Sequence, residues 1–442
     1  MWRFVPIVLA KTTNPNQGHL TPAHQRAAAI AVVGLGYVGL PTAIGLASTG
    51  ATVIGIDVLE SRLDAIRAAQ VDLVIDDADR LMPVLDNEQL QLTTDGWRAS
   101  EAEVVLICVP TPVDRHQVPD LTALRGACAS VVKHARPGQT IVLTSTSYVG
   151  TTRDLLVEPL TQRGLVVGSD VHVAFSPERI DPGNRTHLQA SVPRVVGGVT
   201  AECAERAAAA VGLVASKVHT VSSPEAAELS KLYENTFRAV NIALANEMSD
   251  IAGTMNLDIT EVIEAAATKP YGFMPFYPGA GVGGHCIPCD PHYLLWMLRA
   301  NRVDAPLIET AMTRIAGRPS QVVSRALEGL LIGGTPVAQA RIVVVGVSYK
   351  PNVEDCRESS ALEIMQSLRD RGAVVAFTDS LVSSVLLHDG TTVVRTDPTC
   401  QQWDLAIVHT LHAEVDLSWL DDVTVVLDTT HRLSGAANRI VQ

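Results

Sequence analysis

The segment Gly279–Asp290 reads GAGVGGHCIPCD, with four glycines, Cys286 and Asp290 in a dozen residues. Glycine has no Cβ, so such a backbone can turn sharply or approach a ligand closely. A cysteine at the end of that loop is placed for nucleophilic chemistry. The alternative is a tight turn that buries a small apolar residue. His285 flanks the thiol and, as a cation, would lower its pKa; it serves equally as a loop-packing residue. Cys286 and Cys289 form a Cys-x-x-Cys pair whose oxidation to a disulfide would silence the nucleophile. With His292 they also make a compact Cys/His cluster. A structural zinc needs a second ligand pair at suitable spacing. None stands out, so no metal is expected.

A second constellation is Gly34-Leu35-Gly36-Tyr37-Val38-Gly39, a G-x-G-x-x-G. It follows the apolar run Ile30–Val33 and opens a helical pattern. Asp57 ends the next apolar run, Thr52–Ile56, at the spacing of a dinucleotide fingerprint. Gly34 permits the turn, Gly36 admits the pyrophosphate, and Gly39 lets helix and strand pack closely. The helix N-terminus favours the diphosphate charge. Asp57 would accept from the adenosine ribose hydroxyls and repel a 2′-phosphate, which points to NAD over NADP.

Lys231 and Asn235 lie four apart on one helix face. A cation and an amide donor so placed can stabilise an oxyanion, or simply form a solvated face. Near the other end, RIVVVGVSYKPNVEDCRES places Tyr349, Lys350 and Arg357 just after an apolar strand and a glycine. That is where doubly wound sheets bind ligands, although surface charge alone would look similar.

These residues need a scaffold of parallel strands and helices. Apolar runs at Val104–Val109, Thr140–Leu143 and Val171–Phe175 fit strands buried on both faces, with a helix over Asp120–His134 between them. From Pro224 to Gly253 no proline or glycine intervenes after the first residue until the last. Leu229, Leu232, Val240, Leu244 and Met248 mark a helical period. Further helices are expected over His292–Ala300 and Pro306–Leu331. Strand logic resumes at Arg341 and closes on Asp379. The fold class is therefore α/β: two doubly wound Rossmann-like domains joined by a helical domain with a long helix. We place an N-terminal extension, expected to be mobile, at residues 1–26. An NAD-binding domain follows at 27–221, a central domain with the cysteine loop at 222–331, and a C-terminal domain at 332–442.

The 442 residues are 47% apolar and 18% charged, which excludes a disordered chain. A net charge of −13 argues against nucleic acid or a membrane surface as partner. Seven scattered cysteines do not make a disulfide framework and suit a reducing cytoplasm. No run is long enough to span a membrane.

Six motifs in order resemble the UDP-glucose/GDP-mannose dehydrogenase family, from about Ile30 to about Asp428. They are GLGYVGLP (Gly34–Pro41), CVPTP (Cys108–Pro112), SPERIDPGN (Ser176–Asn184), KLYENTFRAVNIALANE (Lys231–Glu247), GVGGHCIPCDP (Gly281–Pro291) and SYKPNVEDCRES (Ser348–Ser359). The spelling GGHCIP, preceded by TKPYGFMPFYPGAG, is most similar to the UDP-N-acetylglucosamine and UDP-N-acetylgalactosamine 6-dehydrogenases. UDP-N-acetylmannosamine and UDP-glucose remain alternative substrates. The resemblance implies NAD-dependent four-electron oxidation of a sugar C6 alcohol to the carboxylate, for surface polysaccharide precursors. It runs through a thiohemiacetal and a thioester on Cys286.

The resemblance also distributes roles. Lys231 and Asn235 hold the oxyanion, Asp290 with Thr146 orders the catalytic water, and Glu178 assists thioester hydrolysis. The cofactor side takes Gly34, Gly36, Tyr37, Val38, Gly39 and Asp57, with Arg62, Thr111, Thr146 and Arg357. The UDP-sugar side takes Glu178, Arg179, Lys231 and Asn235, with Tyr277, Gly283, Tyr349 and Lys350. A homodimer through the central helix is expected. Three departures stand out: Cys289 replaces an aliphatic residue or Lys, Ser145–Thr152 lacks a proline, and Leu427–His431 lacks the Arg-Asn that often follows Asp-Thr.

Overall fold

A computed structural model describes residues 29–71, 73, 75–114, 116–179, 191–284, 287–413, 415–433 and 439–441. The extension read over residues 1–26 lies outside these, as do His285 and Cys286.

The first sheet has eight strands: β1 (Ile30–Val33), β2 (Val53–Ile56), β3 (Leu90–Thr93), β4 (Val104–Ile107), β5 (Thr140–Leu143), β6 (His172–Phe175), β7 (Arg194–Gly198) and β8 (Val218–Val221). Their spatial order is β3-β2-β1-β4-β5-β6-β7-β8. β1 to β6 run parallel; β7 pairs antiparallel with β6 and carries β8 alongside it. Every residue of β2, β5 and β6 is buried. That is why these runs read as continuous rather than alternating. Apolar layers cover both faces, one built on Leu124, Val131 and Leu156, the other on Leu40, Ile44 and Leu63. The strand order reverses between β1 and β4, so the ligand crevice opens at their carboxyl ends.

The second sheet repeats this plan. Its strands are β9 (Arg341–Val345), β10 (Val374–Thr378), β13 (Leu405–Val408), β14 (Val425–Asp428) and β15 (Arg439–Val441), in the parallel order β10-β9-β13-β14-β15. A short antiparallel hairpin of β11 (Ser384–Leu386) and β12 (Thr392–Val394) follows β10 in the chain.

Between the sheets runs the central helix, Pro224–Thr254, 31 residues long. Ser223 caps it by accepting from the Ala226 amide, and Pro224 fills the first turn, where no amide is needed. The buried face is small and polar: Ala227, Glu228, Lys231, Asn235, Ala239 and Ala243. Of the residues that mark the helical period, Leu232 is buried, but Leu229, Leu244 and Met248 are 46%, 54% and 40% exposed. The period reports the helix correctly; its apolar stripe faces away from this chain's own core. Helix Pro306–Ile332 packs against the central helix on one side and against helix Ser360–Arg369 on the other, linking the middle to the second sheet.

Candidate functional site

The glycine fingerprint forms as its residue types require. Gly34 turns at φ +89°, and a Cβ there would stand 2.7 Å from the Cys108 carbonyl oxygen. A Cβ on Gly39 would overlap the Gly34 carbonyl oxygen, so helix Gly39–Ser48 starts hard against the turn. Gly36, by contrast, has nothing within 4 Å of a Cβ, which leaves its backbone open to a ligand. Val38 caps this helix without a side-chain hydrogen bond, and no acidic residue occupies the first turn. The amides there are suited to a diphosphate. Asp57 is half-buried; its carboxylate accepts from the Leu35 amide (2.8 Å) and the Leu59 amide (3.0 Å). Arg62 Nε donates to the Leu35 carbonyl at 2.9 Å, bracing the same turn. These residues fit NAD, which supplies the hydride acceptor.

Loops from three parts of the chain meet beside this turn. Arg357 stacks over the Tyr37 ring at 5.5 Å, joining the C-terminal domain to the fingerprint. Its guanidinium is held from behind by Asp355, with bonds of 2.9 and 2.6 Å. The glycines that lead to Cys286 lie directly on Tyr349. A Cβ on Gly283 would be 2.6 Å from Tyr349 Cβ, and one on Gly284 would be 2.9 Å from the Tyr349 ring. The Gly284 amide donates to the Arg357 carbonyl at 3.3 Å. Any side chain at Gly283 or Gly284 would push these loops apart.

On the central helix, Lys231 and Asn235 are both buried, at 8% and 4% exposure. The solvated-face alternative therefore does not hold. Asn235 Nδ2 donates to Asp290 Oδ2 at 2.5 Å. Asp290 opens helix Asp290–Ala300, four residues beyond Cys286 in the chain. Burial pushes the Asp290 carboxyl up to about 6, against the opposing pull of the Lys231 charge and the Asn235 hydrogen bond. A carboxyl poised there can take a proton near neutral pH. Thr146 is half-buried on the loop after β5. Thr111 is half-buried too, near the Tyr293 hydroxyl.

Glu178 is buried and ion-paired with Arg194 of β7. Arg179 donates to the Pro193 carbonyl at 2.9 Å and pairs with Glu234, the neighbour of Asn235. The motif continues into residues 180–184, outside those described. Lys350 is half-buried beside Tyr349, while Tyr277 is 45% exposed on the stretch entering the glycine loop. Cys289 is buried at the start of helix Asp290–Ala300. Its pairing with Cys286 falls outside the described residues.

Four supporting residues are absent from the sequence reading. Arg194 neutralises Glu178. Glu228 accepts from the Gly150 and Thr152 amides and the Thr152 hydroxyl, tying the Thr146 loop to the central helix. Gly279 is held from both sides: its amide donates to Asn246 Oδ1 at 3.0 Å and its carbonyl accepts from Arg318 Nε at 3.1 Å. Arg318 also binds Asp250 at 2.8 Å, so the base of the cysteine loop is fixed to two helices. Glu228, Lys231 and Asn235 follow an i, i+3, i+7 rule that could have shown one polar, inward face.

Comparison with known proteins identifies the family. Three models of one family match in order: the NAD binding domain over residues 28–211, the central domain over 225–314 and the UDP binding domain over 343–434. The chain is 34% identical to the UDP-N-acetyl-D-glucosamine 6-dehydrogenase of Pseudomonas aeruginosa over 87% of its own length and 90% of the relative's. It is 33% identical to the NDP-N-acetyl-D-galactosaminuronic acid dehydrogenase of Ralstonia solanacearum, over 90% and 95%. A solved UDP-D-ManNAc dehydrogenase from Pyrococcus horikoshii superposes with a TM-score of 0.85 at 30% identity, covering 94% of this chain and 98% of that one. With its glycine cradle for NAD, its second nucleotide-binding domain and the polar helix face between them, the chain belongs to the UDP-glucose/GDP-mannose dehydrogenase family.

Proposed function

We propose that this NAD-dependent nucleotide-sugar dehydrogenase oxidises the C6 alcohol of UDP-N-acetylglucosamine or UDP-N-acetylgalactosamine to the uronic acid. The observation that carries the reading is the buried Lys231–Asn235–Asp290 group; Asp290 comes four residues after Cys286 in the chain, and Gly283 and Gly284, just before that cysteine, pack against Tyr349. The balance is one alcohol, one water and two NAD giving one carboxylate, two NADH and three protons. The first hydride leaves C6 and yields an aldehyde. The Cys286 thiolate adds to it, and Lys231 and Asn235 stabilise the resulting oxyanion. The second hydride leaves this thiohemiacetal and gives a thioester. Asp290, with Thr146, takes the proton of the water that attacks it; the C–S bond breaks and the thiolate returns. Glu178 assists hydrolysis, and Tyr349 and Lys350 hold the UDP-sugar. A thiolate nucleophile suits the cytoplasm, where cysteines stay reduced.

UDP-N-acetylmannosamine is the second reading, favoured by the fold match to the Pyrococcus enzyme. A panel of UDP-sugars followed by NADH formation separates the two. UDP-N-acetylglucosamine or UDP-N-acetylgalactosamine is expected to exceed UDP-glucose in kcat/KM by about tenfold or more, because groups that bind the acetamido moiety would be left unpaired. Preference for UDP-N-acetylmannosamine or UDP-glucose would defeat the assignment.

We also propose that two copies pair through the central helix. Leu229, Tyr233, Phe237, Leu244, Met248, Ile251 and Met255 recur at four- and three-residue steps, with one step of seven, and all are exposed. Such a continuous apolar stripe marks an interface, and a helix face facing its own copy closes a two-fold dimer. Sedimentation equilibrium is expected to give a dimer for the native chain and a monomer for Tyr233→Glu/Leu244→Arg. An unchanged mass in the variant would move the interface elsewhere.

A further inference from the structure

The two sheets carry the same turn. After β1, Gly34 turns at φ +89°, and the Leu35 and Leu59 amides donate to the two oxygens of Asp57. After β9, Gly346 turns at φ +75°; the Val347 amide donates to Asp379 Oδ2 and the Leu381 amide to Asp379 Oδ1, each at 2.8 Å. In both, a carboxylate just beyond the second strand faces the crevice where a nucleotide ribose would bind. Their surroundings differ. Asp57 stays half-buried, whereas the Asp379 side chain is fully enclosed and accepts from His412 Nε2 at 3.1 Å. The cavity left among Gly346, Asp379, Thr410 and His412 is about 30 Å³, room for a water and not for a ribose.

His412 faces two ways. Its Nδ1 accepts the Asn352 amide at 2.9 Å. That acceptor role puts the ring proton on Nε2, aimed at Asp379. Asn352 Oδ1 in turn accepts the Ala413 amide at 2.8 Å. Asn352 itself has φ +60°, a left-handed conformation that an L side chain rarely adopts without such support. It stands two residues beyond Lys350 and three beyond Tyr349, which packs on Gly283 and Gly284. Burial would push the Asp379 carboxyl up. The hydrogen bonds from His412 and from the Val347, Val382 and Leu381 amides outweigh it and hold it well below the ordinary value. Asp379 therefore remains a charged anchor through the working pH range.

We propose that His412 is a positioning residue for the substrate loop: the carboxylate that grips a ribose in the first domain here orients an imidazole that fixes Asn352, and with it Tyr349 and Lys350. This rests on the reading in which Tyr349 and Lys350 hold the UDP-sugar.

Steady-state kinetics on the full-length enzyme test it, with NAD and the UDP-sugar varied in turn. His412→Leu is expected to raise KM for the UDP-sugar about tenfold or more, as a loop misplaced by a fraction of an ångström does, with KM for NAD within about twofold of native. His412→Gln should recover most of the loss, because its amide oxygen and nitrogen are spaced like the two ring nitrogens. Asn352→Ala leaves the buried Asp379–His412 pair intact and should show the same KM split, which covers the case in which His412→Leu does not fold. Lys350→Ala tests separately whether this loop holds the UDP-sugar. No rise in KM for the sugar in Lys350→Ala would remove the premise. A rise there, with native KM in both His412→Leu and Asn352→Ala, would overturn the positioning role. Equal losses toward both substrates, not rescued by His412→Gln, would also overturn it.

Discussion

Replacement of Cys286 by serine is expected to lower carboxylate formation by about 10³-fold or more. Native enzyme should form two NADH for each UDP-sugar consumed and release no aldehyde. In the variant the first hydride can still leave, so a single turnover should yield at most one NADH per site. The second oxidation then stalls. A serine hydroxyl is scarcely ionised at neutral pH, and an oxygen ester is a poorer acyl donor than a thioester. Stopped-flow absorbance with product analysis reads both steps. Undiminished turnover in Cys286→Ser would remove this residue from the mechanism. One NADH per sugar from the native enzyme, with aldehyde released, would sink the thioester itself.

Asn235→Ala should act twice. Loss of an oxyanion donor costs about 10²–10³-fold in kcat. The same substitution removes the hydrogen bond that opposes the upward push of burial on Asp290. In the proposed mechanism Asp290 must be ionised to take the proton of water, so kcat should rise with pH through about 6 and fall away below it. Without the Asn235 donor, the Asp290 pKa rises further, and the acidic limb of the kcat profile should move to higher pH. A limb that stays in place, or moves to lower pH, would show that Asp290 is not the titrating base. The two effects are separable, since the first is read on the plateau and the second on the limb.

The sequence was most legible where function depends on local backbone chemistry. Gly34, Gly36 and Gly39 with Asp57 define a turn whose partners lie within some twenty residues, and strand, turn and helix formed as their spacing requires. Lys231 and Asn235 could be placed on one face by helical period alone; their burial could not, because the covering residue, Asp290, comes from 55 residues away. Glu228 and Arg318 bind backbone groups of distant segments, at Gly150 and Gly279, and Arg194 meets Glu178 from the far side of a loop; none of these leaves a trace in spacing. The strands β7 and β8 escaped for another reason. β8 is short and none of its residues is buried, and β7 reads RVVGG, ending in glycines that usually signal a turn. Those glycines are needed because a Cβ on either would run into neighbouring backbone, of Ser223 for Gly197 and Ala204 for Gly198. On the central helix, hydropathy gave the period but not the occupant of the apolar stripe, since a sequence does not distinguish a face covered by its own chain from one left bare.

If each product consumes two NAD, as proposed, the Arg357–Tyr37 stack acquires a kinetic meaning. The Arg357 side chain is 49% exposed, and at such sites a cation over an aromatic ring contributes about 0.5–1 kcal/mol. Thermal fluctuation breaks a contact of that size readily. Across the site, Tyr349 lies against glycines with no room for a single added carbon, a fit that opens only if the loops separate. The protein thus has a slack side and a taut side. In the proposed reaction the first would let spent carrier be traded for fresh, while the second would keep the half-oxidised sugar gripped and shielded from loss.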